Sequence, residues 1–567
     1  MPSLDDSDDT GTADFLQGNR YVMPEFPFVE PAELRSGQPA HHPIVIAGGG
    51  IAGLTLACGL ARLGVPAVLL DDDTRLGATD IASRGVVYTQ KSLEIFQRLG
   101  IYERIAAKGA QWSVGRTFAG TDEVYAFDMR HQSGFSLSSQ PAFINLQQFY
   151  VESFLVDRIH DLGEVELRWG HRVSGFSQDG QGALLKVSTP AGDYQLRADW
   201  VVDATGATSP LRRWAGASVT GNQGDDRWCI ADVRFARQRP PERHTWIEAP
   251  FNDNRAVWQH LLADGVWRID YQMAPGAGAV SDDAVRERLA RQFGPDAQVE
   301  VVSVGSYASR TECVDHLRRG PLFFMGDAAK VVSPFGARGG NGAIADADNL
   351  AWKLAAVLHG VAPPALLDSY HAERHEAARQ TVRVTQRTNR FLRPADGVER
   401  SFRDAAIGLA RQYPFARQLV NTGRMAVAST YTESPVCALG GGQSAQNATF
   451  RWADDSPGAL NDLLLWAGGG FLLLVFGDIS PTAGERLRAL TRSAPVRAVQ
   501  VVGDGRPHAL EHVVDPKGHL QGACHVFGHA WALLRPDAYV AATGESIDAA
   551  LVDAVGDALG LKQGEQP

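Results

Sequence analysis

The sequence predicts an α/β chain: a Rossmann-like nucleotide-binding domain, an inserted sheet of α+β character, and a smaller α/β domain at the C-terminus. Three observations predict it. A strand, glycine turn, helix and strand follow one another over residues 44–71, strand-like runs rich in Trp, Val and Ile recur over 221–310, and a second glycine-rich loop opens a helix after residue 326.

The first unit reads Ile44-Val-Ile-Ala-Gly48-Gly-Gly50-Ile-Ala-Gly53, continues with an apolar stripe at Leu54, Leu56, Ala57, Leu60, Ala61 and Leu63, and ends at Val68-Leu-Leu-Asp71. In such a βαβ unit Gly48 makes the tight turn, Gly50 lets backbone approach a pyrophosphate, and Gly53 lets helix and strand close together. The helix N-terminus then offers free N–H groups to the phosphates. An acid at the end of the second strand accepts from the adenosine ribose, and Asp71, Asp72 and Asp73 all qualify, with Asp71 first in position.

At 567 residues the chain exceeds what one core usually organises, so several domains are expected. Residues 1–42 read as a polar, Pro-rich extension without a core of its own, 43–220 as the first part of the nucleotide domain, and 221–310 as the sheet. The nucleotide domain resumes over 311–430 with the second glycine loop and a helical connector, and 440–567 alternates strands and helices. A net charge of −11 excludes the basic field that nucleic acid or an anionic membrane requires. Phe471-Leu-Leu-Leu-Val-Phe476 is too short to cross a bilayer, and the acidic start lacks the parts of a signal peptide, so a cytoplasmic location is expected. Five cysteines stand singly, without metal or redox spacing. His371 and His375 lie one helical turn apart beside Glu376, in a charged stretch that reads as a solvated face rather than a metal site.

The second loop runs Gly326-Asp-Ala-Ala-Lys330-Val-Val-Ser-Pro334-Phe-Gly336-Ala-Arg-Gly339-Gly340-Asn341 and delivers a helix whose apolar face is Ile344, Ala347, Ala351, Leu354 and Leu358. With a nucleotide motif about 280 residues upstream, this resembles the GD motif of FAD-dependent aromatic hydroxylases, in the phenol and 3-(3-hydroxyphenyl)propionate hydroxylase branch. The resemblance covers about residues 43–545. It implies a Rossmann-like FAD-binding domain with an inserted substrate-binding sheet and a C-terminal thioredoxin-like domain for packing or dimerisation. It further implies that Asp327 holds the flavin ribitol, that Gly339, Gly340 and Asn341 face the flavin pyrimidine, and that Arg84 and Gln148 contact the cofactor. Arg268, in Trp267-Arg-Ile-Asp, resembles a strand arginine near the mobile flavin, and Lys330 and Pro334 join it as candidate catalytic residues.

The implied activity is NAD(P)H-dependent hydroxylation of a phenolic or aromatic acid through a flavin hydroperoxide, with FAD as cofactor, NADH or NADPH as co-substrate and dioxygen as oxidant. The rival is a flavin reductase or dehydrogenase on the same scaffold, without oxygen insertion. Two departures from the family pattern matter. Thr205 stands where the shared Asp-Gly-Ala-Arg-Ser stretch has its acid, and Lys330 stands where His often follows Gly-Asp-Ala-Ala. Only seven of the 54 basic residues are lysines, so Lys330 is notable; it either meets an anionic substrate or pairs with a nearby acid. Trp246, Trp258, Trp267 and Tyr271 are candidates for an aromatic substrate wall, against a plain core role.

Overall fold

The computed structural model describes residues 14–18, 20–77, 85–129, 136–180, 182–278, 280–422, 424–438, 440–503 and 510–561. Five parallel strands form the heart of the first sheet, in the order Val165–Trp169, Ala67–Asp71, Ala40–Ala47, Gly192–Asp203 and Leu322–Phe324. The apolar runs Ile44-Val-Ile-Ala47, Val68-Leu-Leu70, Val201-Val202 and Leu322-Phe-Phe324 within them suit strands covered on both faces. Their C-terminal ends, Asp71, Ala47 and Asp203 among them, meet at one edge, where open α/β sheets bind ligands.

Helix Ile51–Arg62 leaves the first strand and is buried over all but its last residue, because it lies between helices Gln148–Leu162 and Arg338–Leu358. Gly59 allows that approach, since a Cβ there would stand 3.0 Å from Ala351 Cβ. The long helix Arg338–Leu358 thus ties the second glycine loop to the first.

A second sheet holds eight strands, with Val219–Phe235, Val266–Gln272, Arg255–Leu261 and Arg243–Ala249 in sequence, Val299–Val314 on one side and Val114–Ala119 on the other. Period-2 alternation gives it two distinct faces. One buries Trp267, Tyr271 and Cys229 under Val285 and Leu289 of helix Asp282–Phe293. The other layers Trp228 and Trp258 against Phe335 of the glycine loop and Leu392.

A third sheet of seven strands, centred on Phe471–Phe476, Val496–Val502 and Trp531–Leu534, lies within residues 449–544. One of its faces packs on the long helix, where Trp352 and Phe471 meet edge to face at 5.7 Å. Arg535 beside this sheet is fully buried and donates to Glu373 and Asp537, while Lys353 and Asn349 donate to the same Glu373. No described helix is long and apolar enough to cross a membrane.

Residues 14–31 do not hang free. Phe15 stacks on Tyr150 at 4.9 Å, Tyr21 meets Phe149 at 4.9 Å, and Phe26 stacks on Trp169 at 4.5 Å. Phe26 N–H donates to Thr74 O, so the segment straps the loop that follows Asp71.

Candidate functional site: a dinucleotide cleft beside a glycine loop

A cleft of about 410 Å³ opens at the C-terminal edge of the parallel strands, lined by Gly48–Gly50, Asp71, Gln148, Glu152 and Thr205. Gly48 has φ of +110°, and a side chain there would overlap the Ala204 carbonyl. A Cβ on Gly53 would overlap Gly48 O, so both positions admit glycine alone. Around Gly50 the space is open, with Glu152 Oε1 at 3.9 Å from an added Cβ. That is a cradle for a bulky group approached by backbone.

Of the three successive acids, Asp71 turns its carboxylate inward and accepts from the N–H groups of Gly49 and Asp73. Asp72 and Asp73 are exposed. Burial pushes the Asp71 carboxyl up to about 6, against the two N–H donors that lower it. A ribose diol supplies the further donors such a carboxylate needs. Gln148 lines the same cleft and donates to Glu152 at 2.8 Å. Arg84 lies outside the described residues.

The substitution at Thr205 is answered by its neighbours. Asp203, fully buried, accepts from Thr205 N, Thr205 Oγ1 and Ser209 Oγ, so an acid is present two residues upstream with Thr205 as its partner. Burial pushes the Asp203 carboxyl up, and these hydrogen bonds oppose it. Sequence reasoning missed Asp203 and also Arg212, whose guanidinium donates to the carbonyls of Asp327 and Ala328 and thereby fixes the Gly326–Ala328 turn. The chain signal was available, since both sit within ten residues of Thr205.

Asp327 is exposed at that turn. Behind it, Lys330 is buried and paired with Asp346, which also accepts from Arg374 and from the Gly326 N–H. Although burial opposes it, Lys330 and Arg374 hold the Asp346 carboxyl below the usual range. Of the two readings open for Lys330, the geometry places the acid pair; the lysine steadies the loop from beneath.

Pro334 sits in the turn that precedes the long helix, where Ala337 N–H donates to its carbonyl at 3.2 Å. Nothing lies within 4 Å of a Cβ added to Gly339 or Gly340, so backbone is presented to open space at a helix N-terminus. Asn341 is buried and its side chain is spent on protein: Oδ1 accepts from Thr89 and Ser92, and Nδ2 donates to Val87 O and Ala337 O. It anchors the loop, leaving only its backbone to face a ligand.

On the second sheet Arg268 is buried and forks onto Asp270, with 2.8 Å from Nη2 to Oδ1. Of the four aromatic wall candidates, only Trp258 faces the glycine loop, meeting Phe335 at 5.2 Å. Trp267 and Tyr271 belong to the opposite face, and Trp246 packs there too. His371 and His375 have ring centroids 5.0 Å apart, and His316 stands 4.8 Å from His371. Burial chiefly, with the neighbouring histidines, lowers His371 to about 4.

Comparison with known proteins follows this geometry. The FAD binding domain model matches residues 41–385, and an HcaD C-terminal domain model matches 442–557. A 3-(3-hydroxy-phenyl)propionate/3-hydroxycinnamic acid hydroxylase of Mycolicibacterium smegmatis is 28% identical over 70% of each chain. One from Klebsiella pneumoniae is 25% identical over 91% of this chain and 93% of its own. Among solved structures, the flavin-dependent monooxygenase PieE, in complex with FAD and substrate, superposes with a TM-score of 0.78 at 23% identity, over 93% of this chain and all of PieE. OxyS anhydrotetracycline hydroxylase from Streptomyces rimosus gives 0.68 at 25% identity, over 92% and 99%. The glycine cradle, the inward Asp71 carboxylate and the second glycine loop suit FAD, and the chain belongs to the FAD-binding-domain family of FAD-dependent aromatic hydroxylases.

Proposed function

We propose that this protein is an NAD(P)H-dependent FAD monooxygenase that hydroxylates a phenolic aromatic acid. The observation that carries the reading is the face of the second sheet that meets the glycine loop. There Trp228 and Trp258 stack at 4.8 Å, Phe335 closes on them edge to face, and Arg268, Asp270 and His260 lie on the same side of the strands. An aromatic face with ionisable neighbours suits a planar, electron-rich and acidic ring beside it. Relatives named for 3-(3-hydroxyphenyl)propionate and 3-hydroxycinnamic acid support that class.

Bound FAD, once reduced by NADH or NADPH, supplies activated dioxygen for transfer of one oxygen atom. The chain supplies position and charge. Gly48–Gly50 backbone would hold the pyrophosphate, Asp71 the ribose and Asp327 the ribitol, while the helix N-terminus at Gly339 and Gly340 would favour negative charge on the ring system. Arg268 is aimed by Asp270 and orients the ring system; Lys330, through Asp346, keeps the Gly326 turn in place. The second sheet walls the substrate from water. Only one nucleotide fingerprint is present, so the nicotinamide binds transiently elsewhere. The C-terminal sheet, read as thioredoxin-like, has no C-x-x-C pair and serves packing or dimerisation.

The test is NADH and NADPH consumption in air by the FAD-loaded protein across hydroxylated aromatic acids, with product mass recorded. Substrate-stimulated consumption and a one-oxygen gain are expected. Consumption with no oxygen gained across the panel would move the protein to the reductases.

A further inference from the structure

We propose that Arg243 is the carboxylate-binding residue of the substrate site, so that the substrate is an aromatic compound whose carboxylate this guanidinium grips side-on. The inference rests on the second sheet being the substrate wall and names the class of group that the wall recognises.

Arg243 begins the strand Arg243–Ala249 and is 8% exposed. Its Nη1 points at Met425 Sδ, 3.0 Å away, and its Nε makes no hydrogen bond among the described residues. It stands apart from its kind. The seven other arginines buried among the described residues each lie within 4 Å of a carboxylate, and Arg243 has no such ion pair. Asp270 acts on Arg243 only from beyond contact distance, and a buried cation with no carboxylate in contact is costly, so a site that keeps one is built to receive an anion.

Register shows where that anion would sit. His244 opposes Gln259 and Thr245 opposes Trp258, which sets Arg243 across from His260, and His260 across from Arg268. Arg268 is already satisfied by Asp270, so the spare charge of this row is at Arg243. Two further buried groups on this face lack partners among the described residues: Trp258 Nε1 and His260 Nδ1. Met425 is followed by Ala426, whose N–H donates to Gly336 O at 2.8 Å, so the guanidinium reaches toward the start of the flavin-facing loop. The unsatisfied Nε edge of a guanidinium offers two parallel donors, the spacing that one carboxylate fills and a single phenolate oxygen does not.

The test is equilibrium binding, read from the flavin absorbance of the FAD-loaded protein without NADH, of 3-(3-hydroxyphenyl)propionate, its carboxamide and 3-ethylphenol. The acid should bind at least about tenfold more tightly than either neutral probe, a ratio that falls to about one in Arg243→Met and is partly kept in Arg243→Lys. The Arg243→Met holoprotein should melt no lower than the parent when no ligand is present, because it loses a buried charge that no carboxylate contacts. Equal binding of acid and amide, no binding of the acid, an unchanged ratio in Arg243→Met, or a lower melting temperature would each overturn the assignment. An equal loss for acid and 3-ethylphenol would also overturn it, giving the guanidinium to the phenol oxygen. Binding is read without turnover, so a protein that inserts no oxygen can still pass.

Discussion

Asp71 is placed to make cofactor binding depend on pH. On the proposed reading ribose hydroxyls would donate to the ionised carboxylate, and burial pushes that group up to about 6. FAD binding therefore lowers its pKa and releases a proton. Affinity should be full above pH 6 and fall as pH drops through 6, and Asp71→Asn should flatten the profile; titration of FAD by fluorescence between pH 5 and 8 checks both. Lys330 carries a different expectation. Replacing it with Met leaves Asp346 buried with Arg374 as its only cation, which should cost about 3 kcal/mol in denaturant unfolding. The sequence showed that Lys330 was out of pattern but not what it touched, because its partner is 16 residues on, across a loop whose path only the fold defines. Asp203 was hidden for the opposite reason: it stands two places before Thr205, and a motif read position by position registers only the hydroxyl at 205.

Strand alternation decides what each side chain of the second sheet can do. Trp267 and Tyr271 are four residues apart and share one face, while Arg268 and Asp270 between them take the other. That much was legible in the sequence, and it already implied that Trp267 and Arg268 cannot both meet the flavin. Which face is inward was not legible, since helix Asp282–Phe293 and the glycine loop offer apolar cover to opposite sides. Trp267→Ala should cost about 3–5 kcal/mol of stability with little change in substrate affinity. Trp258→Ala should reverse that emphasis, weakening substrate binding at least about tenfold, with calorimetry and flavin absorbance separating the two. The first βαβ element was readable nearly in full, because a turn that excludes a Cβ on both Gly48 and Gly53 leaves the chain no other residue to use.

At the scale of the whole molecule, the N-terminal extension and the C-terminal sheet both behave as parts of the FAD domain. Tyr21 and Met23 line the cleft, and Glu25 pairs with Arg75 on the loop beyond Asp71. Composition made residues 1–42 read as an extension without a core of its own, because the described part is held chiefly by four scattered aromatics, Phe15, Tyr21, Phe26 and Phe28, rather than by a periodic face. Deleting residues 1–31 should lower FAD affinity, measured as flavin retained after dialysis, with the fold kept. The charge cluster around Glu373 reaches further. Arg535, from the C-terminal part of the chain, is paired with an acid on helix Asp368–Leu392 of the preceding part, and neither is accessible to water. Cutting the chain near residue 435 would strand Glu373 with Lys353 in a newly wetted surface and leave Arg535 in the tail with Asp537 as its one remaining carboxylate. The two halves are therefore mutually obligate: neither should be expressible as a soluble fragment, and calorimetry of the intact holoprotein should show one heat-absorption peak where a modular tail would give two.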